Sequence, residues 1–288
     1  MLLDIDDAIF DATNHQPVLQ LLEMVADRRH DWYPTLAQAE KADALVRRLI
    51  QAKIQMPLLE EWVQQAFIEA SNPIPVADRR TVPVGVADLQ RAVADLAKPA
   101  VLLVENEFGD GGFVRAVAVA FGDDRIIEAL ERDPKWLTIY HGGGKGQMPQ
   151  LAAARCREFS TVVRVAVLYD SDRKRPGPSE NEGKVKQTRD VGVDHVHLWT
   201  WRMMENYVPL RVWDDHFPLK SDAIDGLRRK AVAERGYIDI KRWLVGGGKM
   251  PFPLFPDELN LTREDFEELG IDAVEELQRV LSMINEIL

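Results

Sequence analysis

From Pro99 onward, short continuous apolar runs alternate with helical stretches: PAVLLVE, then FVRAVAVAF, WLTIYHGGG, QMPQLAAARCREF, TVVRVAVLYDSD and DHVHLWT. Runs of about 5–8 residues rich in β-branched side chains are what strands buried on both faces look like, and their alternation with helices predicts βαβ units and a mainly parallel sheet. Right-handed crossovers then bring the C-terminal ends of all the strands to one edge of the sheet. No other feature of the chain restricts its fold as much.

The flanks read differently. Before Pro99, apolar residues recur at helical spacing, as in Leu19, Leu21, Leu22, Met24 and Val25, then Leu45, Val46, Leu49 and Ile50, then Leu58, Leu59, Trp62, Val63 and Phe67. The stretch NPIPVADRRTVPVGVADLQ, with prolines at 73, 75 and 83, breaks that pattern before one more helix over Asp88–Leu96. After Trp201 the pattern predicts helices over Asp222–Glu234, 262–268 and 272–286, with a YIDIKRWL segment and a proline-rich loop at 251–256 between them. The reading is an α/β chain in parts: a helical N-terminal region over 1–97 for docking or dimerisation, an α/β domain over 98–212 with its sheet flanked by helices, and a mostly helical C-terminal extension over 213–288.

Composition excludes several classes. With 46% hydrophobic and 29% charged residues, the chain is neither a disordered nor a disulfide-stapled polymer. No apolar run approaches the ~20 residues of a membrane span, so no membrane partner is expected. The start MLLDIDDAIFD places Asp4, Asp6 and Asp7 where an export signal carries lysine or arginine, and a lone Cys156 can form no internal disulfide, so a cytoplasmic location is expected. A formal charge of −11, from 36 Lys+Arg against 47 Asp+Glu, argues against coating nucleic acid by bulk charge. Any nucleic-acid contact must be local or assisted by metal.

Chemistry concentrates at the strand ends. Glu105 follows VLLV, HGGGKG at 141–146 follows WLTIY, and Asp170 and Asp172 follow VRVAVLY. In an open parallel sheet the crevice beyond the carboxyl ends is the usual ligand site, so these acids can converge. Converging carboxylates raise one another's pKa unless a cation is present, and hard oxygen ligands suit Mg²⁺ or Mn²⁺, as one or two ions. Taken singly, each element has a plainer reading. An acid after a strand often caps a helix, and Gly142, Gly143 and Gly144 alone form a tight turn. Lys174 stands where haloacid-dehalogenase phosphatases need Thr or Val and where calcium loops need Asp or Asn, which removes both readings of Asp-x-Asp. From Asp172 to Asp190 six basic residues (Arg173, Lys174, Arg175, Lys184, Lys186, Arg189) face four acids, a loop suited either to clamping a strand or to simple solvation. His141, His195 and His197 read as structural, and Trp199, Trp201, Trp213 and Trp243 as core.

In this order and spacing, VLLVENEFGDGGF, IYHGGGKG and AVLYDSDR resemble the TOPRIM (topoisomerase–primase) domain, over about residues 99–208. WTWRMMENYVP resembles the (R/K)-x-x-E-N-Y element after the fourth strand in TOPRIM nucleases of the overcoming-lysogenization-defect (OLD) type and related bacterial defence proteins, and YIDIKRW resembles the lysine-bearing segment that follows it. The resemblance implies an Mg²⁺- or Mn²⁺-dependent nuclease acting on DNA, with an endonucleolytic cut. It implies Glu105 as metal ligand or general base, Asp170 and Asp172 as ligands, Asp110 or Glu107 as second acid of the first motif, Glu205 as a further ligand or as the residue that fixes the loop, and Lys241 as the cation facing the phosphate. Gly142, Gly143, Gly144, Lys145, Arg173, Lys174 and Arg175 would contact phosphates. OLD-type enzymes carry a fused ATPase, whereas neither GGGK here is followed by Ser or Thr as a P-loop requires. A separate ATPase or sensor subunit is therefore expected, in an antiviral or plasmid-defence complex, and a homo-oligomer is compatible with it. The competing class is a non-catalytic subunit that uses metal to hold nucleic acid or the ATPase partner.

Overall fold

The structure is a computed structural model that describes residues 1–288 except 53, 73–80, 145, 247–249, 252 and 257–258, and the side chains of 107 and 108. The chain forms two units: residues 1–98 with 159–162 and Leu288, and residues 99–158 with 163–287. Among the described residues no helix is long and apolar enough to cross a membrane.

The first unit holds β1 (Leu2–Ile5), α1 (Gln16–Ala26), α2 (Leu36–Gln51), α3 (Pro57–Ser71), β2 (Thr81–Val84) and α4 (Leu89–Ala97). Thr35 starts α2 as a reciprocal cap: its hydroxyl accepts from Gln38 N–H at 3.3 Å while the Gln38 side chain accepts from Thr35 N–H at 2.8 Å. Leu21, Leu22, Leu45, Leu59 and Leu96 meet in a core where Trp32 stacks on Phe10 and Trp62. The region is not wholly helical, because β1 and β2 form a parallel two-stranded sheet. Both strands are hard to read locally. LLDI is interrupted by an acid, and TVPV carries Pro83, which lacks a ladder donor and is tolerated only in such an edge position.

In the second unit the expected alternation is realised: β3 (Ala100–Val104), α5 (Glu107–Phe121), α6 (Asp124–Glu131), β4 (Leu137–His141), α7 (Met148–Cys156), β5 (Val165–Tyr169), α8 (Glu182–Asp190) and β6 (His195–Leu198). The four strands are parallel in the order β4-β3-β5-β6, with Leu102 opposite both Ile139 and Ala166 and Val167 opposite Val196. AVLLV and VAVLY are buried along their whole length, as central strands covered on both faces must be. From β3 the chain steps outward to β4, and from β5 it steps the other way to β6. The crevice between the ends of β3 and β5 is therefore the topological switch point, where ligands bind in open α/β sheets.

The rest of the second unit is α9 (Leu210–His216), α10 (Ser221–Arg228), α11 (Val232–Arg235), α12 (Ile240–Val245), α13 (Arg263–Glu267) and α14 (Ile271–Ile287). The helix expected over Asp222–Glu234 is thus two short helices, and the YIDIKRWL segment ends in α12. The C-terminal segment belongs to the body of this unit: α14 buries Val274, Leu277, Val280 and Ile284 against the sheet and α5, and Phe266 of α13 meets Phe113 and Phe121 edge-on.

Candidate functional site

Glu105 and Asp170 leave the adjacent strands β3 and β5, and the Asp170 N–H donates to Glu105 Oε1 at 3.2 Å across the switch point. The Asp170 carboxylate is oriented from the other side by the Met204 N–H, at 2.9 Å from Oδ1. Met204 opens the tight turn Met204–Tyr207 that follows β6, so the E-N-Y element lies against the first acids. Asp172 has φ +55°, a left-handed conformation that aspartate tolerates better than most residues. Its N–H donates to the Arg202 carbonyl at 2.8 Å and its carboxylate accepts from Asn181 at 3.0 Å.

Asp110 lies in the first turn of α5, where its carboxylate accepts the Asn106 N–H at 2.9 Å. Burial and the nearby Glu205 and Glu105 push its pKa up to about 7, against the opposing pull of that N–H and of Lys241. Glu205 is buried in the Met204–Tyr207 turn and pairs with Lys241 of α12, Nζ to Oε1 2.7 Å. Burial alone would depress the Lys241 ammonium, yet Glu205, Asp170 and Asp110 outweigh it and raise the pKa. Four carboxyl groups, Glu105, Asp110, Asp170 and Glu205, thus share one electrostatic neighbourhood with Lys241. Among the described residues no three of His, Cys, Asp and Glu stand together as a ready set of metal ligands. The donor chemistry still fits a hard divalent cation, since every acid in the cluster offers carboxylate oxygen and none offers sulfur or imidazole.

The glycine element is a close-packed turn. Gly142 N–H donates to the Val104 carbonyl at 2.7 Å, and a Cβ at Gly142 would sit 2.6 Å from Met148 Cγ and 2.9 Å from that same carbonyl oxygen. Gly143 and Gly144 have φ of +65° and +89°, open to glycine at little cost. Lys145 lies outside the described residues.

The basic stretch divides. Arg173 is not displayed to solvent: its guanidinium donates to the carbonyls of Trp199 and Thr200 at 3.1 and 3.0 Å and approaches Glu182 at 3.7 Å, so it ties the Asp-x-Asp loop to the end of β6. Lys174 and Arg175 are exposed, while Lys184, Lys186 and Arg189 stand on α8 rather than on a loop. His141 is exposed, His195 faces Glu286 at 3.4 Å and His197 lies 2.9 Å from Glu276. Trp199, Trp201 and Trp213 are core residues, but Trp243 is 41% exposed, its indole N–H donating to the Ala223 carbonyl at 2.9 Å.

Sequence reading missed two supports of the site. Asn181, buried, spans the loop with one amide nitrogen, donating to Asp172 at 3.0 Å and to the Asp170 carbonyl at 2.8 Å. Nothing in a lone asparagine nine residues downstream announces that. Glu276, on α14, is buried among Ala273, Leu277 and Val280. A charged residue on the apolar stripe of an amphipathic helix was the available signal.

No family model, no curated protein and no solved structure matches this chain, so the functional reading is carried by the site's own residues.

Proposed function

We propose that the chain is a divalent-metal-dependent phosphodiester hydrolase of TOPRIM type, cutting DNA internally. The observation that carries this reading is the meeting of Glu105 and Asp170 across the switch point with Asp110 and Glu205 beside them, where burial first, and then the neighbouring Glu205 and Glu105, push the Asp110 pKa up to about 7. Such a cluster is costly without a cation, and Mg²⁺ or Mn²⁺ is the cation its oxygen donors suit. Glu105, Asp110, Asp170, Glu205 and Asp172 are the residues that would hold it. A metal bound there would supply an activated water and stabilisation of the leaving oxygen of a phosphodiester.

The chain's own groups complete the chemistry. In the metal-free site the Asp110 carboxyl, its pKa pushed up to about 7, keeps a proton up to near neutrality, and a cation bound there would displace it. Lys241, its side chain 48% exposed while its ammonium stays charged, is placed to balance charge on a phosphate. The exposed Lys174 and Arg175, on the loop leaving Asp172, suit contacts to the nucleic-acid backbone, whereas Arg173 is committed to the loop itself. In this reading the chain is the effector of a bacterial defence complex, and a separate ATPase or sensor subunit supplies control.

One observation favours a second reading, a subunit that binds metal and nucleic acid without cutting: Lys241 already neutralises Glu205 at 2.7 Å. The two are separated by incubating the protein with supercoiled plasmid, linear duplex and single-stranded RNA, under Mg²⁺, Mn²⁺ or EDTA, beside Glu105→Ala and Asp170→Ala. Metal-dependent nicking lost in both variants is the expected result. Metal binding with no cleavage of any substrate would move the assignment to the binding subunit.

A further inference from the structure

The loop that orients the acids is itself held from behind. It supplies the Met204 N–H to Asp170 at 2.9 Å, takes the Asp172 N–H on the Arg202 carbonyl at 2.8 Å, and carries Glu205. Beneath it the Glu276 carboxylate of α14, 2% exposed, gathers donors from the whole segment. It accepts the Thr200 N–H at 2.7 Å and the Tyr207 hydroxyl, and lies 2.9 Å from His197 Nε2. The Tyr207 oxygen accepts the Trp201 N–H at 2.9 Å, and its ring packs on Trp201 and Trp199 with centroids 4.6 and 4.7 Å away. A buried carboxylate is tolerated only when its oxygens are satisfied, and these donors tie both ends of the 199–207 segment to one side chain.

We propose that Glu276 is a positioning residue for the acidic site: through Thr200 and Tyr207 it fixes the loop that presents Met204 N–H, the Arg202 carbonyl and Glu205 to Asp170 and Asp172. The proposal rests on the reading of these acids as the working centre. Glu276 acts through the loop, at the rear of the sheet edge, and this separates it from a residue that merely fills the core. The burial of Glu276 would by itself raise its pKa, but the hydrogen bonds from His197 and Tyr207 hold it below the usual carboxylate value, so the anion that accepts these donors is the form present at neutral pH.

The test uses the full chain with Tyr207→Phe, which keeps the ring and removes only the hydroxyl, and with Glu276→Gln, which turns an amide NH₂ toward donors. Amide hydrogen exchange is followed by NMR, Mn²⁺ binding by electron paramagnetic resonance, and unfolding by thermal melting. In Tyr207→Phe the Met204 and Asp172 amides are expected to exchange roughly 10-fold faster while those of β3 and β5 keep their protection, and Mn²⁺ to bind about 10-fold more weakly, the scale seen for residues that orient ligands. Glu276→Gln is expected to move the same readouts further in the same direction. Unchanged protection at Met204 and Asp172 with unchanged Mn²⁺ affinity overturns the proposal. A uniform loss of protection across the second unit, in step with a lower Tm, overturns it too. If the wild-type protein binds no Mn²⁺, the metal reading fails on its own, and the Met204 and Asp172 amides still decide whether Glu276 positions the loop.

Discussion

Replacing Asp110 with Asn should make the metal-free protein more stable above neutral pH, although it removes a group from the centre of the site. The Asp110 carboxyl has its pKa raised from 3.8 to about 7 by burial and by Glu205 and Glu105. At ~1.4 kcal/mol per pKa unit, a shift of about three units has a ceiling near 4 kcal/mol. Asp110 as a residue is half-buried, so roughly half of that, about 2 kcal/mol, is the working figure. The sign follows from proton binding: between about pH 4 and about pH 7 the folded chain keeps a proton that the unfolded chain has lost, so wild-type stability falls as pH rises through that window. Asparagine carries no proton to lose and can still accept the Asn106 N–H that Asp110 accepts at 2.9 Å. In urea unfolding from about pH 4.5 to about pH 8.5, the advantage of Asp110→Asn is expected to widen with pH and level off at ~2 kcal/mol above about pH 7. Added Mg²⁺ should narrow the gap, because the wild type offers the ion one more carboxylate than the variant. A variant less stable than wild type by the same amount at every pH would refute the reasoning, because Asp110 would then be a structural acceptor and not a member of a repelling cluster.

Other outcomes follow from single residues. Asp95 is fully buried and its carboxylate accepts the N–H groups of Ser160, Thr161 and Val162 at 2.8, 2.7 and 3.1 Å while pairing with Lys98 at 2.8 Å, so Asp95→Ala should cost about 3 kcal/mol in chemical unfolding at neutral pH. Burial would raise its pKa, but Lys98 and those N–H groups outweigh burial and lower it; the contribution is therefore complete above the ordinary carboxylate pKa and vanishes as pH falls through the folded value, and an equal loss at about pH 3 would contradict this. Gly142→Ala forces a Cβ to 2.9 Å from the Val104 carbonyl oxygen, a backbone atom that cannot swing aside, and should lower stability by about 2 kcal/mol in thermal melting. Lys241→Met keeps the stem and strands the buried Glu205, so it should destabilise the fold by about 3 kcal/mol and raise the Asp110 pKa further, as read by carboxyl-carbon NMR titration.

The parallel sheet flanked by helices was legible because the signal is local and redundant. AVLLV, LTIYH, VAVLY and HVHL each sit between a helical stretch and a polar turn, and the unbroken apolar runs AVLLV and VAVLY are what strands covered on both faces require. Placement of Glu105 and Asp170 at the carboxyl edge follows from the same pattern, since each acid comes directly after its run. The two strands of the first unit were not legible: a four-residue run with an acid or a proline inside it has no period to detect, and β1 and β2 stabilise each other across more than seventy residues of intervening chain.

What the sequence determined by itself is therefore the class of fold and the acids that stand on the edge of its sheet. Tertiary structure alone decided what surrounds them. It brought Met204 N–H to Asp170, set the one amide of Asn181 between Asp170 and Asp172, turned Arg173 inward onto β6, and placed Glu276 of the last helix beneath the E-N-Y turn. These contacts join segments that are 9 to 69 residues apart, and their formation depends on which faces pack together after the sheet has formed. Periodicity records which side of a helix or strand is buried, but not which neighbour buries it, and so the support of the site is written only in three dimensions.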